Sequence, residues 1–205
     1  MLIDLSAIDP KHHHPILTQT VIPRPVAWVL SQNPEGDYNL APYSFFTVVT
    51  SKPPILMVSG GKKPADGTFK DTRVNVEARR EFVVHIGSSE HAHAMTESSR
   101  HLPHGESELD HLELSLVTDS GFPMPRLAGV RVALYCELRE IIEMGDTPQS
   151  LMFGNIKKVY VDDSVVQDND KGRYVFDARA IDPISRLGGS DYGTFGGILT
   201  VPRPD

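Results

Sequence analysis

Apolar and polar positions alternate most regularly in GVRVALYCELRE, residues 129–140. Val130, Val132, Leu134, Cys136 and Leu138 fall on one face, and Arg131, Tyr135, Glu137 and Arg139 on the other. A period of two marks an extended chain, so the pattern predicts a half-buried antiparallel strand. SLMFGNIKKVYVDD (150–163) is its predicted neighbour, joined through GDTPQ (145–149). VIPRPVAWVLS (21–31) reads as another strand, with Val26, Trp28 and Leu30 alternating against Ala27 and Val29. The turn cluster Asn33-Pro34-Glu35-Gly36-Asp37 follows. A hairpin is therefore expected between 21–31 and the next stretch, NLAPYSFFTVVTSKPP (39–54). That stretch reads as one extended strand, ended by Pro53-Pro54 because proline donates nothing to a ladder. ILMVSGG (55–61) and FVVHI (82–86) are two further short buried strands.

Helical spacing is rarer. DTRVNVEARRE (71–81) sets Val74 and Ala78 one turn apart, with Asp71 or Thr72 as the N-cap. SSEHAHAMTES (88–98) is the second predicted helix, and 99–112 is a polar loop with a helical turn. Residues 1–20 read as a lead-in segment, and 164–205 show little periodicity apart from IDPISRLGGSDYGTF. No repeat, low-complexity tract or linker divides the chain, so residues 1–205 are taken as one domain. Many short strands with two or three peripheral helices predict a mainly β fold, a small antiparallel barrel with helical decoration. A doubly wound parallel sheet would need helices alternating regularly with strands.

Charge and composition narrow the function. A net charge of −7, with lysine and arginine scattered, argues against a nucleic-acid partner. No run approaches about 18 apolar residues, so no membrane span is expected. The N-terminus MLIDLSAIDPKHHHP carries acids early and lacks an apolar core, unlike a signal peptide. A cytoplasmic protein is the resulting expectation. The single cysteine, Cys136, excludes an internal disulfide and is expected to be a buried, inert thiol.

Two segments carry candidate chemistry. In GTFKDTRVN a helix start would expose unpaired N–H groups and the positive end of its dipole. Lys70 adds a full charge and Thr72 a hydroxyl, which together could seat a phosphate; an ordinary helix start beside a solvated lysine fits the same residues. The second segment is 39–54, with hydroxyls at Tyr43, Ser44, Thr47, Thr50 and Ser51. A planar heterocycle needs hydrogen-bonding groups along its edge and apolar cover such as Tyr43, Phe45 and Phe46 provide; a core strand with one wet face would look alike. Neither G-x-x-x-x-G-K-[ST] nor G-x-G-x-x-G occurs, which removes support for a Walker loop or a Rossmann cofactor site. The histidines His12, His13, His14, His91, His93, His101, His104 and His111 form no H-E-x-x-H pattern, and no metal site is expected. Without a G-x-S-x-G elbow a serine hydrolase has no support. Asp162-Asp163 reads as a turn at a strand end.

In order along the chain, RPVAWVLS, NLAPYSFFTVVTSKPP, the glycine loop ending in KDT, EFVVHI, the late strand ending in VYVDD, and RLGG followed by Tyr192 carry a resemblance. Together they resemble the flavin reductase-like FMN-binding split barrels, in the branch of nitrilotriacetate monooxygenase component B and flavoredoxin. The resemblance runs from about residue 15 to 195. It implies an antiparallel split β-barrel that binds FMN near the interface of a homodimer. Ser44, Phe45, Phe46, Thr50 and Ser51 would then edge the flavin ring, with Tyr43 as cover. Lys70, Asp71 and Thr72 would hold the phosphate, and Arg186, Leu187, Gly188, Gly189 and Tyr192 would stand near the flavin or the dimer contact. The implied activity is hydride transfer from NADH or NADPH to FMN, with a separate oxygenase as a possible receiver of reduced flavin. The alternative is an FMN electron carrier without nicotinamide-dependent activity. The catalytic residues stay unknown at this point. Two segments depart from the family: the loop before Lys70 is long and polar, and 91–111 is rich in histidine.

Overall fold

The computed structural model describes residues 1–103, 105–146, 148–167, 172–202 and 204. The predicted hairpin forms. Ala27–Gln32 (β1) pairs with Tyr38–Tyr43 (β2), Trp28 opposite Pro42 and Gln32 opposite Tyr38. The stretch 39–54, however, is not one strand. It breaks after Tyr43, and Phe46–Ser51 (β3) starts again elsewhere in the sheet. Nor do the two prolines end pairing. They form the turn into Pro54–Gly60 (β4), with Ser51 opposite Pro54, and their missing donors cost nothing at a hairpin tip.

Glu81–Ile86 (β5), Val132–Met144 (β6) and Gln149–Val161 (β7) complete a seven-stranded sheet. Its order is β2-β1-β5-β6-β7-β4-β3, and every pairing is antiparallel. Within the connection 145–149, Thr147 lies outside the described residues. β2 and β3 are thus the two outer strands, although only two residues separate them in the chain. The sheet curls so that its ends approach. A Cβ on Gly60 of β4 would come within 2.9 Å of the Tyr43 ring at the end of β2.

β6 differs from its predicted half-burial, because both faces are covered. Cys136 and Leu138 pack with Val29, Phe82, Val84 and Met152, while Ala133 and Tyr135 pack with Trp28, Leu30 and Leu127. Val130, assigned by period to the Cys136 side, lies in the second cluster with Tyr135. Tyr135, assigned to the wet face, is 2% exposed. It tolerates burial because its hydroxyl donates to the Asp119 carboxylate, which also accepts from Arg126 Nε at 2.8 Å. Cys136 is buried as expected, and burial pushes its thiol pKa up, away from reactivity.

Gly154 of β7 lies against this core. A Cβ there would meet Phe82 Cζ at 2.5 Å and Cys136 Cβ at 3.2 Å. Overpacking of this kind costs about 1–3 kcal/mol, so Gly154→Ala is expected to lower the urea midpoint. An unchanged midpoint would contradict the packing.

Among the described residues there are four α-helices: His13–Thr20 (α1), Asp71–Arg79 (α2), Ala92–Glu97 (α3) and Ala178–Ile181 (α4). α2 and α3 were predicted. α1 lies in what reads as a lead-in, because Ile16 and Leu17 make no sustained apolar stripe. α2 begins one residue earlier than its expected caps. Lys70 is the N-cap, with extended backbone and no side-chain cap bond, and Asp71 and Thr72 are the first helical residues. Its buried side chains are Thr72, Asn75 and Val76, whereas Ala78 is exposed. The expected helical turn in 99–112 is the 3₁₀ turn Glu108–His111. In the tail, Ser185–Gly188 pairs with Arg24–Pro25 on one side and Asp191–Gly193 on the other. Among the described residues no helix is long and apolar enough to cross a membrane.

Candidate functional site

The break between β2 and β3 opens the wall of a cleft, and the start of α2 stands beside it. Lys70 is half-buried, with Nζ 5.5 Å from the centroid of the Tyr43 ring. Burial lowers its pKa, and no carboxylate contributes to that shift. The adjacent Asp71 is occupied with Lys63, whose Nζ lies 2.9 Å from its carboxylate. Lys70 is therefore a partly desolvated positive charge facing the cleft, beside an Asp71 carboxylate that Lys63 already pairs.

Thr72 is 1% exposed, and its hydroxyl is directed inward. Oγ1 accepts from Asn39 Nδ2 at 2.8 Å and also hydrogen-bonds the buried Tyr43 phenol. Its side chain thus braces the site, and what it offers at the helix tip is its backbone N–H. Burial raises the Tyr43 pKa, so the phenol stays neutral.

Two hollows meet here. One, of about 70 Å³, is lined by Asn39, Tyr43, Lys70, Asp71, Thr72 and Glu108, among others. The other, of about 540 Å³, is lined by Ser44, Lys70, Arg186, Gly189 and Tyr192, among others. Pro42, Lys70 and Ser99 line both. The structure thus brings together candidates from three distant segments: Tyr43 and Ser44, Lys70 to Thr72, and Arg186 with Tyr192. The Arg186 guanidinium lies 4.5 Å from the Tyr192 ring centroid and bonds the Gly189 C=O. Tyr192 Oη lies 3.0 Å from Thr96 Oγ1 of α3.

Other candidates stand apart from the two hollows. Phe45 is 38% exposed and tilts toward His14, with ring centroids 6.1 Å apart. Phe46 packs against the Cys136 core. Thr50 and Ser51 are at the far end of β3, where Thr50 Oγ1 accepts from Lys52 N at 3.2 Å. Gly188 is buried with φ +106°, and a Cβ there would come within 2.7 Å of Gln19 Cγ and 3.1 Å of Thr18 O. It allows α1 to lie close to the cleft and does not line it.

Pattern reading missed Glu108 and Arg24. Glu108 is 7% exposed, and its Oε2 accepts from Leu40 N at 2.8 Å. Burial pushes its pKa up to about 7, against the opposing pull of that hydrogen bond. In sequence it is one acid in a polar loop, with nothing to separate it from solvated neighbours. Arg24 is 6% exposed and donates from Nη1 to Val21 O at 2.8 Å and to Thr18 O.

The histidines have separate tasks. His85 is buried between Trp28 and Leu127. Its Nε2 accepts from Leu127 N at 3.0 Å, so its Nδ1–H donates to Trp28 O at 2.9 Å. His91 Nδ1 contacts Ser88 Oγ at 2.8 Å. His104 lies outside the described residues. Among the described residues no group of three or more His, Cys, Asp or Glu side chains is placed to hold a metal ion.

Known proteins share both this sequence and this architecture. The family profile described as "Flavin reductase like domain" matches residues 19–185. An uncharacterized protein of Halalkalibacterium halodurans is 34% identical over 208 residues, covering 100% of this chain and 97% of that protein. The crystal structure of nitrilotriacetate monooxygenase component B from Bacillus cereus superposes with a TM-score of 0.88 at 33% identity, covering 98% of each chain. A Shewanella frigidimarina flavin reductase structure with a split barrel domain gives 0.83 at 20% identity over 100% of both chains, a likeness of fold.

Proposed function

Because the chain belongs to the flavin reductase like family, we propose that it is an NAD(P)H:FMN oxidoreductase whose flavin sits in the cleft beside Lys70. The observation that carries this reading is the convergence of Lys70 and the α2 start with Ser44 and the Arg186–Tyr192 pair on one cleft. The donor set fits a phosphate: the partly desolvated Lys70 ammonium, at a helix start without a side-chain cap. It also fits a flat ring, with Val26, Pro42 and Tyr192 giving apolar cover beside the hydroxyls of Ser44, Thr96 and Ser99.

When bound, FMN supplies the hydride-accepting chemistry itself. The chain's residues bind and orient. Lys70 and the Thr72 N–H would hold the phosphate end, with Asp71 keeping Lys63 in place. Lys70 and Arg186 keep the cleft positive, which favours added negative charge on a reduced ring. No side chain has to act as nucleophile.

Exposed apolar residues flank the bend: Val48 (58%), Val49 (51%), Val21 (61%) and Leu17 (43%). They support a homodimer in which a second copy covers this edge, and Thr50 and Ser51 enter the site only through such a copy. The name of the Bacillus cereus protein supports an oxygenase as receiver of reduced flavin. A single buried cysteine suits a reducing cytoplasm.

Rapid anaerobic mixing of the FMN-loaded protein with NADH, and separately with NADPH, tests the activity. Saturable bleaching of the flavin absorbance by at least one nucleotide is expected. Retained colour with both would overturn the reductase reading and leave an FMN electron carrier.

A further inference from the structure

The 540 Å³ hollow has a feature that the phosphate seat does not need. Arg24 and Arg186 are directly opposite one another on paired strands. Like charges in that position repel, and a buried arginine ordinarily sits with a carboxylate. Among the described residues the partners of Arg24, 94% buried, are carbonyl oxygens and one hydroxyl: Thr18 O, Val21 O, and Ser44 Oγ at 3.4 Å from its Nε. No carboxylate contributes to the environment that lowers its pKa; burial and Arg186 do.

The chemistry of the wall follows from those bonds. Arg24 Nε–H donates to Ser44 Oγ, which leaves the Ser44 hydroxyl hydrogen free to point into the hollow. Lys70 and Arg186 line the same space, as does His14. Among the described residues no aspartate or glutamate lines it. A hollow with two cations in its wall, a third, the Arg24 guanidinium, behind it and hydroxyl donors is complementary to an oxyanion.

We propose that this hollow is a second anion seat, next to the flavin phosphate seat, which holds the oxyanion of the co-substrate that exchanges electrons with the flavin. The proposal rests on the flavin reading for the name of its occupant. Two sources supply the required oxygens: the pyrophosphate of a nicotinamide dinucleotide and the carboxylate of an aromatic acid. Arg186 is the residue that binds the oxyanion in either case, since its planar fork matches both groups.

The test uses the FMN-loaded protein, in which the phosphate seat is already filled. Inorganic pyrophosphate and benzoate are titrated in turn while the flavin difference spectrum is recorded. Saturable perturbation by either is expected, and Arg186→Gln should weaken it about tenfold or more, with partial recovery in Arg186→Lys. Response to pyrophosphate alone marks the dinucleotide as the source, and response to benzoate alone the aromatic acid. Three results overturn the proposal: no perturbation by either anion, equal affinity in Arg186→Gln, or release of free flavin as pyrophosphate binds, which would mean that only one seat exists. If the protein does not load FMN at all, the flavin reading fails and the seat is tested on the apo-protein. A thermal shift with pyrophosphate that is about tenfold weaker in Arg186→Gln upholds it, and an equal shift in both proteins overturns it.

Discussion

Replacing Lys70 with alanine raises the FMN dissociation constant about ten- to a hundredfold. A hydrogen bond to a charged group contributes about 1.5–3 kcal/mol, and each 1.4 kcal/mol is about tenfold in affinity. The contribution is at the upper end here because Lys70 is partly desolvated before any ligand arrives. Loss of binding is separable from loss of fold. Truncating Lys70 removes a half-buried charge, so its stability should stay within about 1 kcal/mol of wild type, the cation–π contact with Tyr43 being the main loss. Cys136→Ser is the matching control. Cys136 is fully buried in the core among Phe82, Leu138 and Met152 and lines neither hollow, so FMN affinity should not change. FMN titration followed by flavin fluorescence measures both. An unchanged constant for Lys70→Ala would remove the phosphate assignment.

Glu108 and His85 make the pH dependence of stability a second large effect, with opposite signs. Burial lowers His85 to about 4 from an ordinary value of 6.5, so the native state keeps it neutral. In the unfolded chain it takes up a proton as pH falls below about 6.5, and stability is lost across the window down to about 4. Glu108 is raised to about 7 from 4.5. The folded state holds its proton longer than the unfolded chain does. Its contribution is complete below pH 4.5 and is lost as pH rises through about 7. Each shift corresponds to about 3 kcal/mol, so in the wild type the two oppose one another over the acidic range.

Glu108→Gln isolates one of them. The amide still offers an oxygen to Leu40 N and mimics the protonated acid. Urea unfolding across about pH 4 to 8 should show the stability of wild type relative to Glu108→Gln falling by about 3 kcal/mol as pH rises. The variant alone should gain stability with pH more steeply than wild type. Parallel curves for the two proteins would show that Glu108 does not titrate late.

Much of the strand inventory is legible in the sequence, for a physical reason. The β1–β2 hairpin is announced by two alternating runs separated by Asn33 to Asp37, where proline and glycine force a turn. The break at Ser44 is not announced. The run of aromatic, β-branched and hydroxyl residues continues through 39–54, and nothing local shows that Tyr43 and Phe46, with two residues between them, belong to opposite edges of a curled sheet. The buried polar residues are equally silent. Asn39 Nδ2 donates to Thr72 Oγ1 at 2.8 Å and Asn75 Nδ2 to Asn33 Oδ1 at 2.7 Å, so polar positions face inward where a hydropathy pattern assigns them to water. The same limit hid the inner face of α2 and the burial of Tyr135.

The site divides in a similar way. Lys70 and the helix start are legible in sequence as one candidate, from charge and helix-start chemistry, beside the reading of an ordinary helix start. Arg186 and Tyr192 come from the order of family segments, since a short strand of four residues leaves no period to read. Arg24 and Glu108 come only from three dimensions, because what distinguishes them is burial against particular carbonyl and amide groups.

The most direct test of the central claim is a comparison of two ligands on the purified apo-protein, FMN and riboflavin, which differ only in the phosphate. A cleft that grips a flat ring and anchors its charged tail at Lys70 predicts saturable binding of both, with FMN about tenfold or more tighter, and collapse of that difference in Lys70→Ala. Equal affinity for the two ligands, or no binding of either, would contradict it.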